Sequence, residues 1–110
     1  MIDWDRVSEL RDEVGAEDFL EVVEMFLDEV NEEIDTITDE MTAQELEAKL
    51  HFLKGSALNL GLKTFAEMCR VGEDMARQGD VHGIDRPAII TCYHASIEAF
   101  ENALPSNAAA

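Results

Sequence analysis

The chain has 110 residues, 46% apolar and 30% charged, which makes one domain of ordinary size with apolar content enough for a core. Lys and Arg number 8 against 25 Asp and Glu, so the formal net charge is −17. A surface of that sign repels DNA, RNA and anionic membrane, because neutralising phosphates takes Lys and Arg.

At the N-terminus, Met1-Ile2-Asp3-Trp4-Asp5 lacks the basic flank and apolar run of a signal peptide. No apolar stretch in the chain approaches the ~18 residues of a membrane span. Cys69 and Cys92 lie in helix-like segments without CxxC spacing. Two cysteines are too few for a disulfide framework, so a reducing, cytoplasmic setting is the simpler expectation.

Asp3 caps a short first helix that runs to Val14 and stops at Gly15, with Trp4 expected to pack it onto the rest. A long second helix carries Phe19, Val22, Val23, Phe26, Leu27, Val30, Ile34 and Ile37 at three- and four-residue spacing, a single apolar stripe. From Ala16 to Met41 there are 11 acidic residues and no basic one, which reads as a solvated face. Thr42 and Glu45 form a capping box at the start of a third helix, whose stripe is Leu46, Leu50, Leu53, Ala57 and Leu60. Gly61 suits its left-handed C-terminal cap. A fourth helix runs from about Lys63 to Gln78, with Phe65, Met68, Cys69, Met75 and Ala76 inward, and Gly79-Asp80 ends it. Asp85-Arg86-Pro87 opens a fifth, since proline is tolerated in a first turn, and Ile89, Ile90, Tyr93, Ile97, Phe100 and Leu104 form its apolar side. The expected fold is all-α, an antiparallel four-helix bundle with a short extra N-terminal helix, over residues 1–104. Residues 105–110 are expected to form a flexible tail with nothing to pack against.

The third helix carries a feature that a bundle does not require. Each residue turns a helix by about 100°, so His51, Lys54 and Gly55 share a face off the leucine stripe. Glycine inside a helix costs about 1 kcal/mol relative to alanine, so its presence one turn from a histidine points to close approach by something else. Singly, each residue has an ordinary explanation: a surface histidine, a solvated lysine, a packing glycine. Together they combine a nucleophile, a cation and a gap.

The segment His51-Phe52-Leu53-Lys54-Gly55-Ser56-Ala57-Leu58-Asn59-Leu60-Gly61-Leu62 resembles the signature of histidine-containing phosphotransfer (HPt) domains, unbroken from His51 to Leu62. The helical bundle and the chain length fit the same family. The resemblance implies that His51 accepts a phosphoryl group from a receiver-domain aspartate in a two-component phosphorelay and passes it to another receiver. It further implies receiver domains and a hybrid histidine kinase as partners, with Mg²⁺ and the acidic pocket on the receiver. This chain would bind no cofactor or metal itself, and would act as a monomeric phosphoryl carrier rather than a stand-alone enzyme. The chemistry of the residues agrees: an imidazole nitrogen attacks the aspartyl phosphate, and the protein supplies positioning and charge neutralisation. Lys54 can offer a positive charge to phosphoryl oxygens, and Gly55 leaves them room.

Glu73 has two readings. It lies 12 residues after Gly61 and His51 lies 10 before it, so the two fall at similar height on a helical hairpin. There the carboxylate can hold Nδ1 and leave Nε2 free. Alternatively it pairs with Arg70 or Arg77 on its own helix.

Between Thr42 and Asp80 there are 5 basic and 6 acidic residues, so this hairpin is close to neutral beside the acidic second helix. Phe52, Leu58 and Asn59 around His51 make a candidate rim for docking a receiver, with Phe52 equally able to lie in the core. The rival function is a non-catalytic docking or inhibitory bundle that binds a receiver or kinase without transferring phosphate. A metal-binding bundle is set aside, because Ala48 and Thr91 stand where Glu would precede His51 and His94 by three residues. His82 is read as a solvated loop residue.

Overall fold

The computed structural model describes the backbone of residues 1–37 and 40–109, and side chains as far as Ala103 within that range. Among the described residues five helices follow one another: α1 (Trp4–Val14), α2 (Phe19–Ile34), α3 (Ala43–Leu60), α4 (Lys63–Arg77) and α5 (Arg86–Ala109). The molecule measures 45 × 20 × 20 Å. A helix with its side chains is about 10–12 Å across, so that cross-section accommodates two helices by two. The long helices α2–α5 form the bundle, and α1 is the extra short helix.

Local chemistry sets the helix ends. The Asp3 side chain accepts the Arg6 amide at 3.3 Å, and Gly15 closes α1 at φ 89°. At the start of α3 the Thr42 hydroxyl accepts the Glu45 amide at 3.1 Å, while the Glu45 carboxylate accepts the Thr42 amide at 3.0 Å. Two of the amides a helix start leaves unpaired are thereby satisfied reciprocally. Asp85 caps α5 by accepting the Ala88 amide at 3.0 Å, with Pro87 in the first turn.

Gly61 takes φ 78° and turns the chain from α3 into α4. Its carbonyl accepts the Asp3 amide at 2.8 Å, and a Cβ at this position would lie 2.7 Å from the Asp3 carbonyl oxygen. The α3–α4 turn is therefore also the seat of α1. Trp4 secures that helix from the other side by stacking on Phe100 of α5, with ring centroids 5.7 Å apart.

The apolar stripes of the helices meet in one core, with Phe19, Leu46, Leu50, Leu53, Phe65, Tyr93 and Phe100 almost fully buried. Tyr93 keeps its hydroxyl satisfied by donating to the Asn31 side-chain oxygen at 2.6 Å, which ties α5 to α2. Met68, Met75, Ile90 and Ile97 pack against the core while only partly buried. Cys69 is buried, Cys92 half-buried, and both are free thiols.

The structure corrects one boundary. The second helix ends at Ile34, where the Thr36 hydroxyl donates to the Glu33 carbonyl at 2.7 Å and the chain enters a turn. Ile37 is buried from that turn, outside the helix whose stripe it extends. At the other end, the α5 backbone is helical to Ala109. The acidic residue at 39 and the side chain at 104 lie outside the described residues. No described helix is long and apolar enough to cross a membrane.

Candidate phosphoacceptor site

The site depends on how closely α3 and α4 approach. Leu50 of α3 is fully buried and faces Gly72 of α4, where a Cβ would lie 2.9 Å from Leu50 Cδ1. A larger residue at 72 would force the buried Leu50 side chain to shift. The residues that follow in each helix, His51 and Glu73, then fall within hydrogen-bond reach.

The His51 side chain is 70% exposed, whereas that of Glu73 is only 4% exposed. His51 Nδ1 lies 2.7 Å from Glu73 Oε2, and Lys54 Nζ donates to Glu73 Oε1 at 2.6 Å. Arg77, one turn along α4, reaches Oε2 at 3.4 Å and also approaches Glu47 at 3.5 Å and Asp74 at 3.1 Å. Burial pushes the Glu73 carboxyl up, but the hydrogen bonds from Lys54 and His51 outweigh it and hold the group below the usual carboxylate range. An ionised carboxylate only accepts, so the proton of a neutral His51 ring sits on Nδ1. Nε2 is left with its lone pair, and among the described residues it has no hydrogen-bond partner.

Both readings of Glu73 are therefore realised in part. It holds His51, and of the two arginines only Arg77 approaches it; Arg70 instead binds Glu67 at 2.5 Å and Asp74 at 3.1 Å. Lys54 is engaged by the same carboxylate while still 25% exposed, one turn along α3 from His51. A Cβ built on Gly55 meets nothing within 4 Å, so the surface one turn from His51 is open. Gly55 is thus the site's gap, whereas Gly72 is its close packing.

The proposed rim divides. Phe52 is 40% exposed and flanks His51 on the side of α2, where a shallow cleft is lined by Glu33, Met41, Glu45, Ala48 and Lys49. Lys49 and Glu33 form an ion pair across that cleft. Leu58 is 55% exposed, two turns beyond His51. Asn59 is exposed, and its carbonyl accepts from Arg6 Nε at 3.2 Å, so its backbone serves to hold α1. On the other side, Gln44 and Glu47 border a hollow shared with Ala48, His51, Glu73 and Arg77. Sequence reasoning passed over Gln44 and Glu47; their positions two turns and one turn before His51 on α3 were the available signal.

His82 and His94 are exposed and lie on other parts of the chain, in the loop before α5 and in α5. The described residues contain no group of three or more His, Cys, Asp or Glu side chains able to hold a metal ion.

Comparison with known proteins adds to the geometry. A family profile described as "Hpt domain" matches residues 21–104. The chain is 36% identical over 74 residues to the phosphorelay intermediate protein YPD1 of Candida albicans, a match covering 63% of this chain and 40% of that protein. The chain therefore spans well under two thirds of that relative's length. No solved structure gives a significant match.

Proposed function

The chain belongs to the Hpt domain family, and from that premise we propose that it carries phosphoryl groups in a two-component phosphorelay, with His51 as the acceptor. The observation that carries this reading is the pairing of an exposed imidazole with a buried carboxylate: Glu73 occupies Nδ1 and presents Nε2 to solvent. In the forward step the Nε2 lone pair attacks phosphorus, and the phosphorus–oxygen bond of the aspartyl phosphate breaks with its electron pair returning to the receiver's carboxylate. In the onward step a second receiver's carboxylate attacks, and the phosphorus–nitrogen bond breaks toward Nε2.

The chain's own contribution is positional and electrostatic. Glu73 fixes the tautomer and ring plane, Lys54 neutralises charge on the phosphoryl oxygens, and open surface at Gly55 admits the receiver's loops. Receiver domains are the partners, supplying Mg²⁺ and the aspartate, and Phe52 and Leu58 offer apolar contact on either side of His51. The near-neutral α3–α4 hairpin lets an anionic group approach a protein whose net charge is −17. A hybrid histidine kinase upstream, a monomeric carrier and a cytoplasmic setting complete the reading. The two free cysteines and the relative named as a phosphorelay intermediate support it.

The test is transfer from phosphorylated receiver domains with Mg²⁺ to the wild type and to His51→Gln. Label that appears on the wild type, is lost on acid treatment and is missing in the variant is the expected result. A receiver that binds without labelling the wild type would identify a docking module instead.

A further inference from the structure

The acceptor's partner is a carboxylate, buried and ionised, and this has a consequence for the phosphorylated state. When Nε2 carries the phosphoryl group and Nδ1 keeps its proton, the ring is a cation. Its phosphorus–nitrogen bond then breaks to give neutral imidazole. If Nδ1 loses the proton, the same bond must expel an imidazolate, a far poorer leaving group. Whatever holds that proton therefore controls whether the phosphoryl group can move on.

Resting on the phosphocarrier reading, we infer that Glu73 keeps the phosphorylated His51 ring protonated at Nδ1 and so keeps its phosphoryl group transferable. Glu73 Oε2 sits 2.7 Å from Nδ1 in a position with 4% of its side chain exposed. A carboxylate there accepts only, and it stabilises the proton by charge as well as by hydrogen bonding. An amide in its place can rotate and donate to a deprotonated Nδ1, and so supports the untransferable form equally well. The charged and titratable groups around Glu73 are His51 and Lys54 from α3, and Arg77 and the Cys69 thiol from its own helix, with Glu47 and Asp74 paired to Arg77. Lys54 offsets part of the carboxylate's charge while it holds Oε1. A phosphoryl group on Nε2 competes for that ammonium, and as Lys54 turns toward it the carboxylate acts more fully on the Nδ1 proton. The same arrangement makes the phosphohistidine labile, because water attacks the cationic form too.

Glu73→Gln tests this, since it preserves the shape and the hydrogen-bond acceptor while removing the charge. Both proteins are loaded with phosphoramidate, which transfers its phosphoryl group to Nε2 and leaves as ammonia. Loss of phosphohistidine is then followed by phosphorus NMR from acid to alkaline pH, with circular dichroism recording the fold. The wild type is expected to hold its fast rate to higher pH, and the midpoint of the variant's profile to lie about one pH unit or more lower, as for removal of a charge within hydrogen-bond distance. The Nδ1 proton resonance of the phosphorylated ring gives the same midpoint independently of rate. Superimposed profiles in two folded, loaded proteins would overturn the inference and leave the carrier reading intact. Failure of the wild type to load at His51 would overturn both.

Discussion

Leu50 lies against Gly72 so closely that a methyl group at residue 72 would come within 2.9 Å of the Leu50 side chain. This contact sets the distance between α3 and α4 at the level of the site. His51 and Glu73, each one residue further along, meet at 2.7 Å because of it. The site's hydrogen bond is thus a consequence of core packing on the neighbouring register.

The two helical glycines make opposite predictions. Gly55→Gln adds a side chain where nothing lies within 4 Å. It should stabilise the protein by up to about 1 kcal/mol through helix propensity while blocking phosphotransfer. Gly72→Ala should destabilise by about 1–3 kcal/mol through overpacking against Leu50 and slow transfer by spreading the site. Urea unfolding and transfer kinetics on both variants check the pair; equal effects on both properties would remove the distinction.

Lys54→Ala should slow transfer from a receiver by about 10-fold or more, since a cation near the phosphoryl oxygens is lost. It also leaves Glu73 with a partner fewer in a buried position, at a stability cost of about 1–2 kcal/mol. Single-turnover transfer alongside denaturant unfolding separates the two effects. Unchanged transfer would show that Lys54 serves Glu73 alone.

How far the sequence reached depended on the range of each interaction. The caps at Asp3, Thr42 and Gly61 were legible because their partners lie within a few residues. Ile37 kept the helical period although Thr36 had already turned the chain, since spacing does not register a turn that keeps a residue on the core side. For His51 and Glu73, counting from Gly61 placed the pair at one height. The choice between His51 and the arginines needed side-chain positions, and Arg70 proved to be taken by Glu67 and Asp74. The role of Gly72 was not legible, because a close approach depends on the residue facing it from another helix.

The carboxyl of Glu73 is held below its ordinary value of 4.5 in the folded protein. Its contribution to stability is accordingly complete above that value and is lost as pH falls through the lower folded one. Unfolding measured from about pH 6 down to about pH 3 should show the stability gap between wild type and Glu73→Gln narrowing with acid. A gap constant over that range would mean that the charge of Glu73 contributes nothing to the fold.

On the proposed function, His51 takes the phosphoryl group on Nε2 because Glu73 occupies Nδ1. Nitrogen–phosphorus correlation NMR on the ¹⁵N-labelled protein, phosphorylated by a receiver, identifies the bonded ring nitrogen directly. The expected result is phosphorus on Nε2 of His51 and a proton on Nδ1. Phosphorus on Nδ1, or on any other residue, would contradict it.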